Sequence, residues 1–521
     1  MRSTDQSFSR ASVRHRPHLG GAALVLPAIV GAVIALVPLV YLAFRATERG
    51  LRPVVVEVSR PQTLTLIHRS AVLTIATTVL ASLLGLLCAL IVGATDIRCK
   101  RFWEVVLALP LAIPTYVVAY TWLGTFSDPA PFPGALGVLV LSCYPYVYLP
   151  VLGALKRLDP ALTEVARSLG NSRHQVFRRV TIPLVRPALT SGSLLVALYV
   201  LSDFGAVSLM RYDTLTQGIY LSYVGSFDRT PAAILGLLLV SITAGVVILE
   251  LRTRGATAAM VSSARTPQRS TIPASLGRMQ AATQCFLVAV VAASLGIPGS
   301  ALVRWTIASD TLDISALSRP LGATLIAALT GAAACTALAV PIAVLSVRRP
   351  SRATSFLESS TYLGHSLPGI VIALAMVFIG VRFLTPIYQR LPLLTIAYVA
   401  LFLPLAVAAT RSSIVQAPPA LEEASRSLGV GPLATLRRVT LRISAPGVAA
   451  GTALVALAGI KELPATLLLR PTGFDTLATQ IWTDTSVADY GRAAPAAMTM
   501  VVLGGISLAI LNRANHLGGT R

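Results

Sequence analysis

Three charged side chains stand inside stretches that otherwise carry none. Asp203 interrupts the apolar run Ala188–Met210, and Lys461 with Glu462 interrupts Ile443–Leu469. A charge in hydrocarbon is costly, and one that persists marks a pathway or a bond that the fold requires. Two chemistries are open. In the first, Asp203, Lys461 and Glu462 line or gate an outward-facing vestibule and favour a cation. In the second, Asp203 and Glu462 cap a broken helix end while Lys461 pairs an acid. The segments Asp203-Phe-Gly205 and Glu462-Leu-Pro464 both read as breaks in helix continuity. If the run starts near Ala188, Asp203 lies roughly 23 Å along it, in the outer part of a bilayer.

A related segment follows each break. Arg211-Tyr-Asp-Thr-Leu-Thr-Gln-Gly-Ile-Tyr220 and Arg470-Pro-Thr-Gly-Phe-Asp-Thr-Leu-Ala-Thr-Gln-Ile-Trp482 share Asp-Thr-Leu and a trailing aromatic. Arg211, Asp213, Tyr220, Arg470, Asp475 and Trp482 are therefore candidates for an outer platform on which another protein sits, with Tyr and Trp at the interface. Nothing points to catalysis: the loops hold no HExxH, no GxSxG and no clustered His/Asp set. A phosphate-cradling loop needs Gly-Lys followed by Ser or Thr, and none of the three lysines, Lys100, Lys156 and Lys461, follows a glycine. The chain is expected to carry no nucleotide site, no metal site and no cofactor. Its five cysteines form no CxxC pair and read as small apolar filler.

The strongest signal is an internal repeat. Glu164-Val-Ala-Arg-Ser-Leu-Gly170 matches Glu423-Ala-Ser-Arg-Ser-Leu-Gly429, and Arg178-Arg-Val-Thr181 matches Arg437-Arg-Val-Thr440, both at an offset of 259 residues. Asp203 pairs with Glu462 at the same offset. In each loop a short amphipathic helix starts at a proline and stops at a glycine. In the first copy it carries Leu162, Val165, Ala166 and Leu169 on one side. The product is a knob with an apolar ridge and a basic rim, suited to a cleft on a partner.

These loops resemble the "EAA" loop of binding-protein-dependent ABC importer permeases. The first copy keeps Glu164, Ala166, Gly170 and Pro183; the second keeps Glu423, Ala424 and Gly429 but has Arg442 where proline would stand. A less sharply bent exit is expected there. The resemblance covers both halves and implies a fused pair of permease subunits. It also implies two copies of a separate cytoplasmic ATP-binding subunit docked on the loops, and an extracytoplasmic solute-binding protein on the other face. Ser202-Asp-Phe-Gly205 and Lys461-Glu-Leu-Pro-Ala-Thr466 look most like ferric-iron permeases, with thiamine, phosphonate, polyamine and inorganic-anion permeases kept open. A twelve-span secondary carrier also has parallel halves, yet has no reason to present two docking knobs.

The elements that hold these residues follow from composition. Of 521 residues, 55% are hydrophobic and only 12% charged, about half the charge of a soluble protein. Twelve runs are long enough, or nearly so, to cross a bilayer. They include Leu19–Phe44, Val105–Phe126, Ser359–Val381 and Ala493–Leu511. The expected fold is all-α and integral to the membrane, with twelve helices as two parallel six-helix repeats. The net charge of +22 is concentrated between apolar runs, which suits anionic lipid rather than nucleic acid. The basic clusters place both termini in the cytoplasm of a cell membrane. One outer segment resists that orientation, carrying Arg45, Arg49, Arg52, Arg60 and Arg69. The expected division is a first half at 1–251 with its coupling loop at 159–187, a linker at 252–280 rich in Ala, Ser, Thr, Gln and Arg, and a second half at 281–521 with its coupling loop at 418–446.

Overall fold

The computed structural model describes residues 22–126, 130–158, 160–225, 228–254, 275–308, 314–365 and 367–518, apart from some side chains within helices. The basic N-terminal segment and most of the 252–280 linker lie outside the described residues. All regular elements among the described residues are helical.

Among the described residues, nine helices are long and apolar enough to cross a membrane. In the first half these are spans 1 (Ala23–Thr47), 2 (Pro61–Ala94), 4 (Pro131–Lys156), 5 (His174–Ser202) and 6 (Thr230–Leu249). In the second half they are spans 7 (Gly277–Ala308), 8 (Leu317–Arg348), 10 (Leu391–Gln416) and 11 (Pro432–Ile460). The three other expected spans include two that are broken. Span 3 is a pair, Lys100–Ala112 and Thr115–Thr125, bent by 90°. Span 9 is also two helices, Arg352–His365 and Gly369–Arg382. Span 12 is the helix Tyr490–Gly518. The breaks fall at Pro114 and Pro368, each the residue before a new helix. Proline has no N–H for the preceding turn and pushes its predecessor away from helix.

The two halves exchange their first spans. Ala28 of span 1 is buried in a core made otherwise by residues 327–469. Leu42 packs with Ile370, Val371 and Leu374 of span 9. A side chain at Gly31 would meet Ile342 Cδ1 at 3.1 Å and Leu403 Cδ2 at 3.2 Å. In return, Leu287, Val290 and Leu302 of span 7 join the core of the first half. Gly124 of span 3 leaves room for Trp305 of span 7, whose ring would lie 2.6 Å from an added Cβ. Without hydrophobic drive in lipid, such close approach through small residues is what binds helices together. Exposed Ile75, Leu83 and Leu87 on span 2 form part of the apolar outer surface.

The arginines that resist the orientation rule are mostly neutralised. Arg45 pairs with Glu48, while Arg49–Asp228, Arg60–Glu57 and Arg69–Asp213 close at 2.7 Å each. The hydrogen bond from Arg45 holds the Glu48 carboxyl below the usual range, and that from the Thr230 hydroxyl does the same for Asp228.

Candidate coupling loops and the inter-half vestibule

The two loops between spans 4 and 5 and between spans 10 and 11 have one backbone plan. Helix Pro160–Ser168 ends at Gly170 (φ 83°), and helix Pro419–Ser427 ends at Gly429 (φ 79°). In each, the glycine N–H bonds three residues back (Gly170 to Arg167 O, 2.9 Å; Gly429 to Arg426 O, 3.0 Å). The next N–H bonds five back (Asn171 to Ala166 O, 3.3 Å; Val430 to Ser425 O, 3.2 Å). This paired closure requires a left-handed residue, hence glycine. Nothing lies within 4 Å of a Cβ built at either glycine, so conformation and not space demands it.

The repeated Arg-Arg-Val-Thr then forms a π-helical turn in both copies, Phe177–Thr181 and Leu436–Thr440, which runs directly into the next span. Both exits are thus continuous helix, although Pro183 is present in one and Arg442 in the other. Glu164, Glu423, Ala424 and Pro183 are exposed, and Ala166 is half-buried. The apolar ridge is uncovered: Leu169 is 76% and Leu428 82% exposed, with Leu162, Val165, Leu421 and Leu433 beside them.

One charged network escaped the sequence reading. Glu422, next to the motif glutamate, is buried and accepts from Arg348 Nε at 2.9 Å, Thr440 Oγ1 at 2.8 Å and Arg426 at 3.3 Å. Arg348 also donates to the carbonyls of Ala417 at 2.9 Å and Ile414 at 3.3 Å. It thereby ties the second coupling helix to the ends of spans 8 and 10. The only signals were a doubled glutamate and an arginine closing an apolar run.

The intramembrane acids sit at helix starts. Asp203 Oδ1 accepts from the N–H groups of Ala206 at 3.0 Å and Val207 at 3.3 Å, capping helix Gly205–Leu209. Its Oδ2 accepts from Thr115 Oγ1 at 2.6 Å, at the start of the outer helix of span 3. Glu462 repeats the role: Oε1 accepts from Ala465 N at 2.9 Å, capping helix Pro464–Leu469. Oε1 would also lie 3.1 Å from a Cβ at Gly369, which begins the outer helix of span 9. Each acid thus faces two helix N-termini, the ends that favour negative charge. Lys461 pairs no acid among the described residues; its Nζ donates to Leu111 O of the other half at 2.7 Å.

The six platform candidates divide. Asp213 is held by Arg69, and Arg470 pairs with Asp475 inside its own segment. Arg211, Tyr220 and Trp482 converge instead on a cavity of about 270 Å³ lined by both halves. Phe204 forms an aromatic cluster with Tyr220 and Trp482, at ring-centroid distances of 5.0 and 5.1 Å. The shared Asp-Thr-Leu starts a helix in each half. The N–H of Leu215 donates to Ser70 Oγ, and that of Leu477 to Thr324 Oγ1, both at 2.9 Å. Those hydroxyls on spans 2 and 8 were not singled out in the sequence, because an isolated Ser or Thr in an apolar run is ordinary.

The family model described as binding-protein-dependent transport system inner membrane component matches residues 81–252 and 335–515. Both stretches omit the exchanged spans 1 and 7. The chain is 35% identical over 489 residues to the Fe(3+)-transport system permease protein FbpB 2 of Haemophilus influenzae, covering 93% of this chain and 96% of that one. It is 32% identical over 244 residues to the molybdenum transport system permease protein ModB of Mycobacterium tuberculosis, covering 43% of this chain and 90% of that one. The sulfate transport system permease protein CysW of Escherichia coli is 27% identical over 236 residues, covering 40% of this chain and 80% of that one. The half-length relatives fit a chain in which one domain occurs twice. With its two family domains and its apolar spans, this chain belongs to the binding-protein-dependent transport system inner membrane components, as a multi-pass ABC importer permease.

Proposed function

We propose that this permease forms the translocation pathway for ferric iron, delivered by an extracytoplasmic binding protein and driven by two copies of a separate cytoplasmic ATP-binding subunit. The observation that carries the drive mechanism is the pair of uncovered apolar ridges, each ended by a left-handed glycine. A cleft on each ATP-binding subunit receives one ridge. Its movement passes through the π-helical turn, which continues as unbroken helix into span 5 or span 11. The motif residues Glu164, Ala166, Gly170, Pro183, Glu423, Ala424 and Gly429 make or shape these contacts. Both termini lie in the cytoplasm, the halves divide at the 252–280 linker, and the chain itself uses no cofactor. Ferric iron is supported by the ferric permease matched along nearly its whole length. The half-length molybdenum and sulfate relatives support an inorganic anion as the second reading.

The test is uptake of radiolabelled iron in cells expressing the permease with its binding protein, with and without the ATP-binding subunit. Uptake is expected to require that subunit and to survive collapse of the proton gradient. Leu169→Asp and Leu428→Asp alter exposed positions, so the chain is expected to remain folded while the ATP-binding subunit no longer co-purifies. Uptake without that subunit, or abolished by gradient collapse alone, would sink the importer reading in favour of a secondary carrier.

A further inference from the structure

The vestibule between the halves has a charge character opposite to what its acids suggest. Asp203 and Glu462 spend their oxygens on helix N-termini and hydroxyls. No carboxylate lines the cavity above them among the described residues. The charge that does line it is the guanidinium of Arg211, exposed and making no hydrogen bond or ion pair to the described residues. Arg211 sits at φ 54°, a strained conformation for a side-chain-bearing residue. Beside it, Ser208 Oγ and Gln217 Oε1 are buried polar atoms that find no partner among the described residues. A carboxamide turned about its last bond presents N–H groups as readily as oxygen. Tyr220, Trp482 and Tyr490 complete the wall. A second basic group between the halves is Lys461, whose Nζ reaches across to Leu111 O.

A planar guanidinium with neighbouring hydroxyl and amide donors is the donor set for an oxyanion, which it can grip through two parallel N–H···O bonds. The same set repels a bare trication. We infer that the cargo enters this vestibule as an anionic species carrying oxyanion ligands. In the ferric reading proposed above, on which this inference rests, iron crosses as a complex with one or more oxyanions.

The test uses the full chain in proteoliposomes with its ATP-binding subunit, ATP inside and the iron-loaded binding protein outside. Phosphate is the sole polyvalent oxyanion outside, in bicarbonate-free buffer, with iron and phosphate separately radiolabelled. Both labels are expected to enter in a fixed ratio. Arg211→Gln is expected to lower both at least tenfold, Arg211→Glu to abolish them, and Arg211→Lys to restore part of the rate. Entry of iron without phosphate, at a rate that Arg211→Glu leaves unchanged or raises, overturns the inference. If neither label enters but labelled sulfate or molybdate does, in an Arg211-dependent way, the ferric reading fails and the anion vestibule stands. Transport of a cationic or neutral solute instead removes both.

Discussion

Helix Pro419–Ser427 is bolted to the bundle by a buried ion pair, and helix Pro160–Ser168 shows none among the described residues. In the second half Glu422 and Arg348 join the coupling helix to spans 8 and 10, with side chains only 8% and 17% exposed. In the first half the residue matching Glu422 is Thr163, and span 2 ends on Ala94 where span 8 ends on Arg348. The first loop is instead braced locally. Ser172 N donates to Gln175 Oε1 at 2.8 Å and Gln175 N to Ser172 Oγ at 3.3 Å, a reciprocal cap on its second helix. The backbone plan, the glycine and the ridge are common to both loops, whereas the attachment is not. The shape of the two loops is therefore duplicated, whereas among the described residues a charged tie from the loop to two further spans is seen in the second.

The largest effect expected from this difference lies at Arg348. Arg348→Met leaves the buried Glu422 with only the longer contact to exposed Arg426 as an ion pair, at a cost of up to about 3–5 kcal/mol. The purified chain should lose thermal stability, and protease should cut first near the second loop. The double change Arg348→Met with Glu422→Leu should regain most of the loss, since a buried pair can be replaced by apolar side chains of similar volume. An unaltered melting curve for the single variant would remove the brace from the account.

Next come the two glycines. Gly170→Val and Gly429→Val force a branched side chain into a left-handed position, at roughly 1–2 kcal/mol each. Space is open around both, so the stability cost should be equal in the two halves. Uptake should fall in both. A markedly larger loss of stability at one glycine would show that the loops differ in more than their anchoring.

The smallest effect belongs to the local cap. Ser172→Ala is expected to cost about 1 kcal/mol and to loosen only the first loop, read as faster amide hydrogen exchange over residues 171–176. Equal loosening of the second loop would mean that the two move as one body.

Much of this was legible before any coordinates. The apolar runs, the repeat offset, the helix stops at Gly170 and Gly429 and the helix breaks at Asp203 and Glu462 all follow from local chemistry. The bends in spans 3 and 9 were not legible. A run such as Val105–Phe126 satisfies hydropathy whether or not Pro114 bends it, because composition over a window is blind to direction. The acids were recognised as costly, but their partners were not. Thr115 lies 88 positions from Asp203, and the hydroxyls at Ser70 and Thr324 lie 145 and 153 positions from the helix starts they satisfy. Arg211, Tyr220 and Trp482 were picked out with Asp213, Arg470 and Asp475 as one platform, and only packing separated the three that converge from the three that do not.

The sequence by itself determined what each stretch must be, because hydropathy, proline, glycine and helix caps act within a turn or two of the chain. It determined that the chain crosses the membrane many times and that two loops are built alike. Only the tertiary structure decided what those stretches meet. It placed spans 1 and 7 in each other's halves, consumed the acids in capping, aimed Lys461 at the opposite half and left Arg211 facing the vestibule. Those outcomes depend on contacts between residues far apart in the chain. In a bilayer many apolar surfaces satisfy the solvent equally well, so close fit and a few polar bonds choose among them.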